Sequence, residues 1–356
     1  MKQHLVITFD YELFLGKKSG RPEDCILHPT ERIRFILNRY GAKAVFFVDT
    51  TYLCALEKFG RQNPACEYDF NRIAMQIQQL LEDGHYVYPH IHPHWIDAVY
   101  DSSSKEFDLS NISKYRFNML DAQQKADVFG ASIHILEKII KPARSDYKIQ
   151  AFRAGGWSVQ PFSDFKPHFL KHDIRFDMSV VPRLYQFSNA QHFDYSNAPE
   201  KPVYTFEDDV CIMADNGRFT EVRGSIIRLP KLVRWLNRGH RKLLYKLGYD
   251  RDYGKGIGQQ SMEEQGNQPA SQKGINLFEQ THEVASIENL SSVKMQIYKD
   301  KLVHEGYLHL VSHPKMLGRH NFFILDKFLQ NVFKSDNPET DYLKTVNYLS
   351  DRITLQ

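Results

Sequence analysis

Short apolar runs rich in β-branched and aromatic residues alternate along this chain with longer segments whose apolar positions recur every three or four residues. The run at 4–9, HLVITF, predicts a buried strand. Segment 28–41, HPTERIRFILNRYG, predicts a helix with Pro29 in its first turn and Gly41 just past its end. AVFFV at 44–48 predicts the next strand. Over 69–84 the apolar positions 70, 73, 77, 80 and 81 mark a helix, with Asp69 as its cap and Gly84 as its stop. YVY at 86–88 is a third strand, running into a group of histidines. The alternation continues with a helix over 117–140, a strand at 149–152, a helix at 161–172 and a strand at 174–181. Near the end come a helix at 291–306, a strand at 307–312 and a pair of helices around 322–333 and 341–349. Such alternation predicts parallel strands, in an α/β barrel or a doubly wound sheet.

Residues 200–288 break the rhythm. A short hairpin is expected over 203–222, with Asp215-Asn216-Gly217 as its turn. A basic segment, LPKLVRWLNRGHRKLLYKLG, occupies 229–248, and a Gly/Gln/Ser-rich flexible loop is expected over 252–274. The expectation is one domain, 1–356, carrying 200–288 as an insertion before the last strand. In the basic segment, Leu232, Trp235 or Leu236, Leu243 and Leu247 share one side of a helix, and Arg234, Arg238, Arg241 and Lys242 fall largely elsewhere. Two placements fit: peripheral contact with an anionic membrane through 230–247, or packing on the barrel with the charges solvated.

Charge and composition narrow the function classes. Lys and Arg number 46 against 43 Asp and Glu, a formal charge of +3, which excludes the strongly basic balance of a nucleic-acid binder. No run reaches the ~18 apolar residues of a membrane span. The first residues lack a secretory pattern, because Asp10 and Glu12 interrupt the apolar stretch. A cytoplasmic location, with possible contact at the inner membrane, is the expectation. Cys25, Cys54, Cys66 and Cys211 form no close pair, so any metal site must draw on His and carboxylate.

Those residue types cluster after the predicted strands. Asp10 and Glu12 follow the first, and His90, His92 and His94 the third. Arg153 follows the strand at 149–152, Asp177 lies in that at 174–181, and His313 follows the last. In a parallel barrel all these strand ends open on one face. Each has a structural alternative: Asp10 as a turn residue, Arg153 as an ion-pair partner, the histidines as a polar strand face. An extended segment aims all three histidines one way, whereas a helix or tight turn brings His90 and His94 together. Trp95 and Trp157, beside these motifs, suit either sugar stacking or packing. Two histidines and a carboxylate are the donor set of a hydrolytic metal site, with a second carboxylate left to accept a proton and a further histidine to give one.

The ordered motifs TFDYE (8–12), AVFFV (44–48), DGHYVYPHIHPH (83–94), AFRAGGWS (151–158), FDMSVVP (176–182) and LVSHPKMLG (310–318) resemble those of the NodB-homology polysaccharide deacetylases, carbohydrate esterase family 4. The resemblance implies a distorted (β/α)7 barrel and a divalent metal, most often zinc, with cobalt, nickel or manganese as substitutes. It implies removal of acetyl groups from N-acetylated sugars, as in cell-envelope glycan biosynthesis. It assigns Asp10 as general base, His90 and His94 as metal histidines, and Arg153 as the partner of the base. A backbone N–H near Gly156 would hold the oxyanion, and Asp177 would orient His313, the general acid. Trp95 and Trp157 would meet the sugar. The chain departs from the pattern in placing Tyr11 between its two acids, which makes Glu12 the expected metal carboxylate, and in lacking a proline after Arg153. His92 has no family role; a supporting hydrogen bond and strand packing both fit it. Other readings of the same barrel are a hydrolase of non-sugar amides, another metallohydrolase with a His-x-His signature, and a glycan-binding protein without catalysis.

Overall fold

The computed structural model describes residues 2–188, 190–249, 254–258 and 280–353. Most of the Gly/Gln/Ser-rich stretch at 252–274 therefore lies outside the described residues. Eight strands form the main sheet: β1 (His4–Tyr11), β2 (Val45–Asp49), β3 (Tyr86–Ile91), β4 (Ala151–Ala154), β5 (Phe176–Asp177), β6 (Val203–Phe206), β7 (Phe219–Val222) and β8 (Tyr307–Ser312). Their spatial order is β6-β7-β5-β4-β3-β2-β1-β8. Every neighbouring pair is parallel except β6 with β7. Seven strands thus run in parallel, and the architecture is a distorted (β/α)7 barrel.

Between β7 and β8 the sheet is joined by side chains and a short stretch of backbone. Ser225 N donates to the carbonyl of His309 (3.3 Å), His309 N to Ser225 Oγ (2.9 Å), and the Tyr307 hydroxyl to the carbonyl of Arg223 (2.8 Å). The strands are buried on both sides, which is why they read as nearly unbroken apolar runs. Val6, Phe47, Tyr88 and Tyr307 pack with Tyr342 and Val346 of the helix Tyr342–Ile353, which closes the N-terminal end of the barrel. The C-terminal strand ends are left for chemistry.

Helix His28–Arg39 begins and stops where the sequence puts it, with Gly41 in the left-handed region at φ +63°. Helix Pro64–Glu82 starts earlier than expected. Pro64, whose missing N–H costs nothing in a first turn, opens it, and Asp69 is an interior residue and not the cap. A larger difference concerns 203–222. The expected antiparallel pair is present, but it belongs to the main sheet: β7 also pairs in parallel with β5 and brings β6 with it. Val203, Tyr204, Phe206, Phe219 and Val222 are all buried there. Among the described residues, what remains between β7 and β8 is an antiparallel pair, Ile226–Pro230 with Gln280–Val284, the helix Lys231–Lys246 and the helix Met295–Glu305. Among the described residues no helix is long and apolar enough to cross a membrane.

Candidate active site

Residues two apart in an extended chain point the same way, and β1 uses this twice. Asp10 and Glu12 are both buried and line one cleft, whereas Tyr11 between them points into the helix layer, where its hydroxyl donates to Gln76 (2.8 Å). The cleft has a volume of about 540 Å3 and also exposes His90, His92, Trp157 and His313 on its walls.

Asp10 is held by Arg153, whose Nη1 donates to its Oδ1 at 2.6 Å. The guanidinium is itself fixed, giving Nε to the carbonyl of Met178 (2.7 Å) and Nη2 to Thr8 Oγ1 (2.9 Å), and it lies over the ring of Phe47. Burial by itself raises the Asp10 carboxyl, but Arg153, His90 and His313 together hold it below the usual carboxylate range.

Glu12 works with two imidazoles. Its Oε2 lies 2.6 Å from His92 Nε2 and 3.2 Å from His90 Nε2, and the two nitrogens are 3.0 Å apart. His90 Nδ1 faces the carbonyl of Arg153 at 2.8 Å. A carbonyl only accepts, so the proton of a neutral His90 sits on Nδ1 and its Nε2 presents a lone pair to Glu12 and His92. One carboxylate oxygen and two imidazole nitrogens within 4.8 Å of one another are a fitting donor set for a divalent cation. Against the cost of burial, Asp10 and Glu12 also raise the His90 pKa, so the local field favours positive charge there. The second oxygen of Glu12 accepts from Lys315 Nζ at 2.8 Å. Although buried, Glu12 is held well below its usual range by Lys315, His92 and His90.

The donors that the structure brings within 4.8 Å of one another are Glu12, His90 and His92, and the expected His94 is not among them. Strand β3 ends at Ile91 with His92 still extended, so 90 and 92 share a face. A 3-10 turn, Pro93–Asp97, then carries His94 away to stack on Tyr115, with 4.4 Å between ring centroids. Burial, then the neighbouring His92, keeps His94 well below the usual histidine range. Gly155 makes room for His92: a β-carbon there would approach His92 Nδ1 to 2.8 Å and collide with the carbonyl of Ile91.

His313 Nε2 lies 3.5 Å from Asp10 Oδ2 and 3.7 Å from Glu12 Oε1. The expected Asp177–His313 pair is not what holds it. Glu288 Oε1 accepts from His313 N (2.7 Å) and meets its Nδ1 (3.1 Å). Burial lowers the His313 pKa, but Glu288, Asp10 and Glu12 outweigh it and raise it. Asp177 instead accepts from Ser179 and hydrogen-bonds to Glu221 of β7. Glu288 is the last residue of the segment read as an insertion, and nothing in the sequence points to it. Lys315 was within reach, two residues after His313 in SHPK.

Trp95 is turned away from the cleft, 3% exposed, with its indole N–H donating to Asp49 Oδ2 (2.6 Å) and its ring packed on Tyr52 and Phe107. Trp157 does line the cleft, at a left-handed φ of +58° that is costly for a bulky side chain, and Tyr195 donates to its carbonyl. Gly156, at φ +57°, lies beside it on the cleft wall.

Neither a family model nor a curated protein matches this chain by sequence. Solved structures do match. One from Mycobacterium smegmatis, assigned as a polysaccharide deacetylase, aligns over 99% of this chain and 91% of that one with a TM-score of 0.50, at 12% identity. The fold is that of a polysaccharide deacetylase. A second structure so assigned, from Pseudomonas aeruginosa PAO1, aligns over 98% of this chain and 91% of that one, with a TM-score of 0.48 and 12% identity. A family 4 carbohydrate esterase from Streptomyces lividans, solved with acetate, covers 49% of this chain and 62% of its own, with a TM-score of 0.29 and 12% identity. The deacetylase fold accounts for the position of the cleft, at the C-terminal ends of the parallel strands.

Proposed function

We propose that this chain is a divalent-metal-dependent hydrolase that removes the acetyl group from an N-acetylated sugar in a glycan or glycan precursor. One observation carries the reading: a carboxylate and two imidazoles converge at the base of a cleft, with a separate carboxylate and a separate histidine beside them. Glu12, His90 and His92 would hold the cation, zinc before cobalt, nickel or manganese. When bound it supplies Lewis-acid polarisation of the acetyl carbonyl and a lower pKa for water. Asp10, ionised through Arg153, accepts the proton of the attacking water at Oδ2. His313, kept protonated by Glu288, gives a proton from Nε2 to the departing sugar nitrogen. The backbone N–H near Gly156 faces the developing oxyanion, and Trp157 offers an apolar face to the sugar ring. Trp95 keeps Asp49 and the turn after β3 in place, and Asp177 supports the barrel behind Arg153.

The test is metal content by plasma mass spectrometry, with acetate release from N-acetylglucosamine oligomers measured alongside. Protein prepared without chelator should carry about one divalent ion per chain. His90→Ala and His92→Ala should lose it, and His94→Ala should keep it. Loss with His94→Ala and retention with His92→Ala would restore the spacing that the family resemblance implied. A metal-loaded protein that releases no acetate from these oligomers but opens cyclic amides would move the substrate to a non-sugar amide.

A further inference from the structure

Helix Lys231–Lys246 rests on the barrel by its less apolar side. Val233 packs against the core, Asn237 is buried, and the ring of His240 meets that of His320 at 5.5 Å. At 100° per residue, Leu232, Trp235, Leu236, Leu243 and Leu247 form a stripe on a different side. Beyond the half-buried Leu232 that stripe faces solvent: Trp235 is 66% exposed, Leu236 46%, Leu243 55% and Leu247 61%. Arg234, Arg238, Lys242 and Lys246 are exposed around it, and no acidic residue occurs between 231 and 249. A contiguous apolar stripe of this kind is expensive to leave in water and marks a contact.

We propose that this helix docks on an anionic lipid surface, with its leucines and Trp235 between the acyl chains and its cations among the headgroups. The combination of apolar stripe and cationic flank selects the occupant. Lipid tails take up Leu and Trp without demanding a matching shape, and anionic headgroups neutralise the flank. A second copy of the chain would bring two cationic flanks together around a two-fold axis. The helix also touches the catalytic segment: Arg241 Nη1 donates to the carbonyl of Glu288 at 3.4 Å, and the Glu288 carboxylate holds His313. Met316, exposed and on the cleft wall, extends the apolar surface toward the site. A glycan carried on a lipid is the substrate this placement suits, a point that rests on the function proposed above; the docking itself does not.

The full chain should be sedimented with phosphatidylcholine vesicles with and without about one third phosphatidylglycerol. Binding should be at least about tenfold stronger to the anionic vesicles and should fall again at about 0.5 M salt. Leu243→Glu with Leu247→Glu, and separately Arg238→Glu with Lys242→Glu, should abolish it, with metal content and thermal melting unchanged. Anionic vesicles should also shift tryptophan emission to the blue, and Trp235→Phe should remove that shift. No sedimentation of the unaltered chain with anionic vesicles at low salt overturns the proposal, as does binding that survives both double variants. A concentration-dependent dimer that the leucine variants dissolve, without vesicle binding, assigns the helix to a second copy instead. None of these readings involves turnover, so a failure of docking and a failure of the deacetylase reading are distinguishable.

Discussion

Two pairs of buried carboxyls sit in this barrel with their pKa values pushed in opposite directions. Asp10 and Glu12, at the open end of β1, are both held below the usual carboxylate range. Asp177 and Glu221, on adjacent strands β5 and β7, are both raised, Glu221 the more strongly, and in each burial is the first cause; Asp177 adds to the rise of Glu221, whereas hydrogen bonds to Glu221 and Ser179 work against the rise of Asp177. All four are almost inaccessible to solvent, so burial alone does not distinguish them. Direct cationic contacts do. Asp10 receives Arg153 and Glu12 receives Lys315, with histidines on their remaining oxygens. Asp177 and Glu221 receive only Ser179, the backbone N–H of Val180 and each other, and two carboxyls in contact cannot both ionise. Arg153 lies between the pairs and gives its hydrogen bond to only one. The first pair is equipped to attract cations and accept protons; the second is a proton-sharing bracket behind it.

The sharpest way to break this contrast is Arg153→Met. It removes the largest of the charges that keep Asp10 ionised and leaves the buried carboxyl facing only His90 and His313, so the Asp10 pKa should rise. Activity should fall by at least about 100-fold, and denaturant unfolding should show a loss of roughly 3–5 kcal/mol, as for a buried pair broken on one side. Glu12→Gln comes next. It removes the anionic donor and should reduce bound metal by more than the roughly 10–100-fold expected for a supporting contact, read by equilibrium dialysis. Glu288→Gln is milder. Glu288 raises the His313 pKa, and the protonated imidazole is the active form, so the limb on which activity falls with rising pH should move to lower pH in the variant.

The smallest effect tests the second pair. A carboxyl whose folded pKa is raised adds stability below its unfolded pKa of about 4 and loses it as pH rises toward the folded value. Glu221→Gln keeps an oxygen for Val180 N–H and removes that loss. The variant should match the parent near pH 4 and become the more stable of the two as pH rises to 7, by roughly 1 kcal/mol. A variant less stable than the parent at pH 7 would mean that Glu221 is ionised in the fold.

The barrel was legible in the chain because its parallel strands are covered on both sides, and only apolar runs of strand length fit there. Placement of polar residues after those runs was legible for the same reason. Other features were hidden because they depend on where a strand stops. His90, His92 and His94 are equivalent by type, and the turn starting at Pro93 decides which two face each other. Glu288 was invisible because its contact with His313 spans 25 residues and no spacing rule connects them. The hairpin at 203–222 was misplaced because two short strands look the same inside a barrel and outside it. Trp95 and Trp157 both stand beside motif residues, and only the fold separates the one bonded to Asp49 from the one lining the cleft.

The alternation along β1 and β3 has a consequence for how the gene may change. Val6, Thr8 and Asp10 of one strand with Glu12 just past its end, and Tyr88 and His90 of the other with His92 just past its end, reach the barrel interior or the cleft. All have even numbers. The interior therefore reads chain parity, much as a ribosome reads a frame. Removing a single residue within either strand would turn every donor beyond it outward at once and put Tyr11 or Ile91 in its place, although no functional residue had been altered. Lengths can drift in the loops that precede these strands, but within them insertions and deletions can persist only in twos.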